Sequence, residues 1–406
     1  MVFLEDVKKE VGRKDKVLSF LGFWLLPHRI LRSIFRTERV RNIHSLATVI
    51  FTSGSTGDPK GVMLSHANIN ANIEGLYQVI HVDKKDTIMG VLPFFHSLGY
   101  TATLWYPLTT GMSVVYHPNP LDAKGVGQLV EKHQATMLLS TPTFLLGYIR
   151  RCTPQEFASL RLVIVGAEKL KERIAGAFEE KFHIIPLEGY GCTELSPVVS
   201  LNVPDYKGKD IHQIGTKPGS IGHPLPGEVA RIVDPETFDE LPAGQEGLLL
   251  VKGANVMMGY LDDREATEKV MHDGWYITGD LASMDEDGFI TIRDRLSRFS
   301  KIGGEMISHL KVEEEIHKAL GKRDEHVCAV VSIPDEQKGE ALAVLYQGEL
   351  DLEAVCGYLQ QSGLPRLWIP KKSNFYRVEA IPILGSGKLD LKQLKAMALE
   401  KAAREG

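Results

Sequence analysis

The sequence predicts an α/β protein: a large domain with parallel sheets and a β-rich subdomain, plus a small mobile α+β domain at the C-terminus. Three observations lead there. Between residues 46 and 219, short apolar runs alternate with helical stretches, which implies largely parallel strands covered on both faces. After Ser220 the texture changes to Gly-rich turns between short alternating strands, the pattern of a β-rich part. From Arg298 helices and strands mix over about a hundred residues, a usual domain size. The reading is therefore a segment 1–45, a large domain 46–297 (α/β over 46–219, β-rich over 220–297) and a C-terminal domain 298–406. A chain of 406 residues is too long for one ordinary domain.

The elements follow in order. Ala47–Phe51 is an apolar strand that runs into a Ser/Gly/Thr loop, and Ser65–Val79 reads as a helix capped by Ser65. Thr87–Leu92, Ser113–Tyr116, Met137–Ser140 and Leu162–Val165 are further strands, with helices at Asp122–His133 and Lys171–Lys181. The β-rich part holds Val229–Val233, Gly247–Lys252, Trp275–Thr278 and Phe289–Arg293. The last domain reads as helix Leu310–Leu320, strands Val327–Ile333 and Ala341–Tyr346, helix Leu352–Gln361, strand Asn374–Val378 and helix Lys392–Ala403.

Composition narrows the function. Hydrophobic residues make up 43% and charged residues 24%, as in ordinary soluble globular proteins. A net charge of −5 leaves no basic excess for a phosphate backbone, so nucleic acid is excluded as a partner. The four cysteines show neither CxxC nor Cys/His ligand spacing, which argues against zinc and disulfides and suits a cytoplasmic location. No apolar run reaches membrane-spanning length. Residues 1–45 hold +5 against −10 for the remainder, and apolar Val17–Pro27 precedes Arg29, Arg32, Arg36, Arg39 and Arg41. Two readings stand: a helix packed on the body of the protein, or peripheral contact with an anionic membrane, which would place the chain at the inner face of the membrane.

The loop Thr52-Ser53-Gly54-Ser55-Thr56-Gly57-Asp58-Pro59-Lys60-Gly61 sits between a strand and a helix. Its glycines let backbone N–H groups turn toward an anion, its hydroxyls add donors and Lys60 adds positive charge. Its spacing is not GxxxxGK[ST], so it is not the common P-loop. A flexible linker would not contain Pro-Lys-Gly between a strand and a capped helix.

At this loop the chain resembles the adenylate-forming superfamily, and further family blocks follow in order. Gly189-Tyr190-Gly191-Cys192-Thr193-Glu194 resembles the block in which the Tyr ring stacks on adenine, Thr193 contacts phosphate and Glu194 is the Mg²⁺ carboxylate. Gly166-Ala167-Glu168 resembles the strand end lining the adenine pocket. Trp275–Asp280 resembles the block whose Asp holds the ribose hydroxyls, and Arg295 resembles the Arg contacting ribose or phosphate. Leu384-Gly385-Ser386-Gly387-Lys388-Leu389 resembles the block with the catalytic Lys. The resemblance implies ATP and Mg²⁺ as cofactors, and a reaction in which a carboxylate attacks the α-phosphorus while Lys388 stabilises the developing charge. It also implies the adenylate-forming ligase fold with a C-terminal lid, lacking its first part, since only about fifty residues precede the loop.

The acid and its acceptor are read from finer likenesses. Where amino-acid-activating members carry an acid to hold the substrate ammonium, Pro93–Ser97 carries His96, which resembles the gate of a fatty-acid pocket; Tyr100, Leu104, Trp105 and Leu108 form an apolar run beside it. The same run equally suits core packing. Leu187–Val199, Arg298–Met306 and the turn at Glu168 resemble the ligase part of bifunctional acyl-carrier-protein synthetase/acylglycerophosphoethanolamine acyltransferases, which feed phospholipid acylation. Ser297-Arg298 stands at the family's hinge. Lys301 and Gly304 match residues facing the active site and the pantetheine tunnel after lid rotation. The expected partners are a long-chain fatty acid and acyl carrier protein, with coenzyme A as the alternative acceptor. A non-catalytic nucleotide- or lipid-binding module is the third reading.

Overall fold

The computed structural model describes residues 11–34, 42–52, 59–303, 305–321, 327–335, 337–383 and 389–405. The chain divides into two units, Met1–Ser45 and Leu46–Gly406. In the first, helix Arg13–Leu25 is followed by helix His28–Ile34. Pro27 separates them: proline disfavours a helical residue before it, and Leu26 is extended at φ −88°, ψ 133°. No described helix is long and apolar enough to cross a membrane.

In the second unit β1 (Leu46–Thr52) and β2 (Lys60–Ser65) form an antiparallel hairpin in which Thr52 lies opposite Lys60. This corrects the expectation that the Ser/Gly loop runs directly into a helix. A six-residue strand intervenes, because Val62 and Leu64 are wholly buried against the core. An apolar run that short cannot be told from the first turn of a helix by periodicity. Helix His66–Val79 then starts where Ser65 caps it: the Ser65 hydroxyl accepts from Asn68 N–H at 3.1 Å, and Asn68 Oδ1 accepts from Ser65 N–H at 2.9 Å.

The strands β3 (Thr87–Gly90), β4 (Ser113–Tyr116), β5 (Met137–Ser140), β6 (Leu162–Val165) and β7 (Pro186–Gly191) are parallel, in the spatial order 4-3-5-6-7. β8 (Val198–Leu201) turns back antiparallel on β7. The small pair β9 (Tyr206–Lys207) and β10 (His212–Gln213) follows, and β11 (His223–Pro224) closes the seven-stranded sheet beside β8. Helices Ala123–His133, Pro142–Arg151 and Glu172–Phe182 make the crossovers. The second was not expected, although Thr141 caps it and Pro142 opens it. A π-helical turn at Gly99–Trp105 continues into Tyr106–Thr110, and Gly111, at φ 77°, ends it.

β12 (Glu228–Val233) and β13 (Glu246–Gly253) lead into the β-rich part, while β14 (Gly259–Tyr260) leaves it to pair with β2. With β15 (Met271–His272), β16 (Trp275–Met284) and β17 (Ile290–Arg295), β12 and β13 form a five-stranded antiparallel sheet. Beyond it come the hairpin β18 (Phe299–Ile302) and β19 (Glu305–Ser308), helix His309–Ala319, then β20 (Cys328–Asp335) antiparallel to β21 (Gly339–Gln347). β22 (Phe375–Val378) is parallel to β21, and helices Leu352–Gln361 and Leu391–Glu405 cover this sheet.

One half-buried ion pair ties the parallel strands at their amino ends. Asp86, just before β3, accepts from Arg161 Nε at 2.9 Å and Nη2 at 2.7 Å, from Thr136 Oγ1 at 2.7 Å and from Asp83 N–H at 2.9 Å. Arg161 holds the Asp86 carboxyl well below the usual carboxylate range, with the Asp83 N–H and the Thr136 hydroxyl assisting against the cost of burial. Because the folded-state value is lowered, the stabilisation is present above the ordinary aspartate range and is lost as pH falls. Asp86→Ala should therefore cost about 2 kcal/mol, allowing for the half-exposed Arg161. Denaturant unfolding should show wild type losing more stability than the variant below about pH 4.

Candidate functional site

The carboxyl ends of parallel strands in an open α/β sheet form the usual ligand crevice. Here β6 is followed by Gly166, Ala167 and Glu168, and β7 ends in Tyr190 and Gly191 before the turn Thr193–Leu195. Gly166 lies against β7, since a Cβ on it would come within 3.3 Å of the Gly189 carbonyl oxygen. Ala167 takes a left-handed conformation at φ 68°, uncommon for a residue with a side chain, and so turns the chain sharply at the strand end. Glu168 accepts from the Thr143 hydroxyl at 2.7 Å. Gly191 cannot carry a side chain: a Cβ would sit 2.0 Å from the Pro197 carbonyl oxygen.

Two residues, one from the end of β7 and one from β17, meet on one carboxylate. Asp280 on β16 is 3% exposed. Its Oδ1 pairs with Arg295 Nε at 2.9 Å, and its Oδ2 accepts a short hydrogen bond from the Tyr190 hydroxyl. The first partner lies directly opposite it on β17, and the second stands at the end of β7. Burial and the adjacent Asp280 charge push the Tyr190 phenol well up, so it remains a donor. The Asp280 charge outweighs burial at Arg295 and raises it.

Beside this group, Glu194 is held by the Tyr260 hydroxyl at 2.9 Å, and the Lys60 ammonium lies 4.7 Å from the centre of the Tyr260 ring. The β14–β2 pairing brings Tyr260 there. Thr193 shares a hydrogen bond with Ser97 at 3.1 Å. Thr52 stands at the base of the hairpin tip, opposite Lys60. Ser53, Gly54, Ser55, Thr56 and Gly57, together with Gly304 and Lys388, lie outside the described residues. Lys301 pairs with Glu236 of the β-rich part through a short contact. Ser297 lies in the turn Leu296–Arg298, and the Arg298 guanidinium is buried against Glu313 of helix His309–Ala319. His96 is exposed, its ring 4.5 Å from that of Phe95. Trp105 and Leu108 are also exposed, whereas Ala102 and Tyr106 on the same helical stretch are core.

Tyr260 and Glu188 escaped the sequence reading. Tyr260 follows Gly259 in a two-residue strand too short to register as periodic. Glu188 was visible only as a lone acid within the apolar start of β7. It accepts from Leu170 N–H at 2.9 Å and so ties the Gly166–Leu170 turn to β7.

A family model described as AMP-binding enzyme matches residues 5–261. The chain belongs to this family. Among AMP-binding relatives, a long-chain-fatty-acid–CoA ligase of Bacillus subtilis is 34% identical over 360 residues, covering 85% of this chain and 60% of that protein. The chain thus spans little more than half the length of that relative. Among solved AMP-binding structures, ATP-bound MatB from Rhodopseudomonas palustris superposes with a TM-score of 0.75 at 30% identity, covering 88% of this chain and 69% of the other. The o-succinylbenzoate CoA synthetase of Bacillus subtilis with ATP and magnesium ion gives 0.72 at 26% identity, with 87% and 70% covered.

Burial pushes the Glu188 carboxyl up to about 7, against the lowering effect of the Leu170 N–H and of Lys169. A folded-state value raised above the unfolded one gives stability that is complete below the ordinary glutamate range and declines as pH rises through about 7. Thermal unfolding across pH should show this decline in wild type and a flatter profile in Glu188→Gln.

Proposed function

We propose that the chain carries the nucleotide site of an acid–thiol ligase that uses ATP to activate a long-chain fatty acid and passes the acyl group to a thiol. The observation that carries this reading is the buried Asp280 carboxylate, reached at once by Tyr190 and Arg295. These groups come from separate motifs and meet where a ribose and an adenine would sit outside β6 and β7.

In the first step a carboxylate oxygen of the acid attacks the α-phosphorus. The bond from that phosphorus to the bridging oxygen breaks, and pyrophosphate leaves with its electron pair. Asp280 accepts from the ribose hydroxyls, and the Gly166–Glu168 turn and Tyr190 bound the base. Lys60 and the hydroxyls of Thr52–Thr56 donate to the outer phosphates. Thr193 and Lys388 donate to the oxygens on which charge accumulates. Glu194, with one oxygen engaged by Tyr260, can offer the other to Mg²⁺, which would neutralise phosphate charge. In the second step a thiolate attacks the acyl carbon and AMP leaves. Here Lys301 would exchange Glu236 for the active site as the lid rotates about Ser297 and Arg298.

The names of the relatives support coenzyme A as the acceptor over the acyl carrier protein expected from the sequence. The exposed Leu18, Phe20, Phe23 and Trp24 on helix Arg13–Leu25, with basic residues on the same helix, support peripheral contact with an anionic membrane.

With ATP, Mg²⁺ and palmitate, the protein should release pyrophosphate and form a hydroxamate-trappable adenylate, then a thioester when coenzyme A is added. Lys388→Ala should slow adenylation by roughly 10²–10³-fold. Full activity in that variant would refute the assignment. Thioester formation on carrier protein alone would reverse the acceptor, and ATP binding without any adenylate would make the chain a binding module.

A further inference from the structure

Behind the turn bearing Glu194 lies a buried polar cluster that this chemistry does not use. Asn72 and Asn255 are both 0% exposed. Asn72, on helix His66–Val79, bonds to β8 in both directions: its Nδ2 donates to the Val198 carbonyl at 2.5 Å, and its Oδ1 accepts from Val198 N–H at 3.2 Å. The same Nδ2 donates to Glu228 Oε1 at 3.2 Å, which accounts for both of its hydrogens. Asn255 holds the turn itself. Its Nδ2 donates to the Leu195 carbonyl at 2.9 Å, and its backbone carbonyl accepts from the Ser196 hydroxyl at 2.7 Å. The turn is also joined to this segment by Met257 N–H, which donates to the Glu194 carbonyl at 2.8 Å.

Two buried oxygens in this cluster have no donor: Glu228 Oε2 and Asn255 Oδ1. They are neighbours. Glu228 lies opposite Gly253 in the β12–β13 register, and a Cβ on Gly253 would stand 2.5 Å from Asn255 Oδ1 and 3.3 Å from Glu228 Cα. Two acceptors cannot satisfy one another, whereas a single proton between them satisfies both.

We propose that Glu228 carries a proton on Oε2 and donates it to Asn255 Oδ1, so that a neutral carboxylic acid on β12 positions the turn bearing Glu194. Among the described residues, the groups facing Glu228 are Asn72 from the helix, Gly253 from β13 and Asn255 from the loop beyond it, none of them charged. Burial pushes its carboxyl up to about 9, opposed by the hydrogen bond from Asn72. Glu228 is thus a positioning residue acting through Asn255 on Leu195 and Ser196. A glutamine would reproduce the pattern, with its amide donating to Asn255 Oδ1 and its carbonyl accepting from Asn72.

The test is isotope-edited infrared spectroscopy of glutamate-labelled wild type, Glu228→Gln and Glu228→Ala, combined with unfolding across pH. At about pH 8, where Glu188 has largely given up its proton, wild type should show a protonated-carboxyl band that Glu228→Gln loses and that titrates away through about 9. With the folded-state value raised, wild type should lose stability relative to Glu228→Gln as pH rises toward that value, while Glu228→Ala is weakened at every pH. On the functional reading above, Mg²⁺–ATP affinity should fall several-fold above about pH 9 in wild type but not in Glu228→Gln. An absent band at about pH 8, or equal slopes in wild type and Glu228→Gln, would overturn the proposal. Should Glu228→Gln fail to fold, loss of the band in Glu228→Ala decides instead. Failure of Mg²⁺–ATP to bind any variant would count against the functional reading, and the band would still decide the proton.

Discussion

The Asp280 carboxylate is the constraint on which the rest of the site depends. A buried carboxylate without partners costs several kcal/mol, so the fold must bring a cation and donors to it. It does so from two directions, with Arg295 across the β16–β17 ladder and Tyr190 from the end of the parallel sheet. That requirement locks the β-rich sheet against the mouth of the parallel one. The crevice between them is thereby lined with acceptors and donors carried on the two sheets.

A second set of tethers governs the turn after β7. Thr193 meets Ser97, Glu194 meets Tyr260, and Leu195 and Ser196 meet Asn255. Each partner comes from a different segment, and Thr101 adds a bond to the Ser196 carbonyl at 3.0 Å. A short turn next to the glycine-bearing ends of β6 and β7 has little stiffness of its own. Its geometry is imposed by these side chains, and the charged ends of Glu194 and Lys60 are placed through the single ring of Tyr260.

Much of this was legible in the sequence, for identifiable reasons. β4, β5 and β6 are apolar runs bounded by turn residues, and their bounds fell where the runs end. β7 was harder, because Gly189 and Gly191 interrupt the apolar pattern that marks a strand. β2 spans the gap between the loop ending at Gly61 and the helix starting at Ser65, and only its pairing with β1 distinguishes it as a strand. Tyr190, Asp280 and Arg295 could be singled out because they stand at fixed places in motifs. Tyr260, Glu188, Asn255 and Glu228 could not, because their roles arise from contacts between segments far apart in the chain. The burial of Arg298 on Glu313 likewise depends on a helix packed over it, not on local pattern.

The most direct measurement of the central claim is a crystal structure of the chain with a non-hydrolysable ATP analogue. The account predicts the ribose hydroxyls on Asp280, with Tyr190 released from that carboxylate and its ring beside the base, and Arg295 still within reach. A nucleotide bound elsewhere, or one in the crevice with the Tyr190–Asp280 hydrogen bond intact and the ribose away from Asp280, would contradict it.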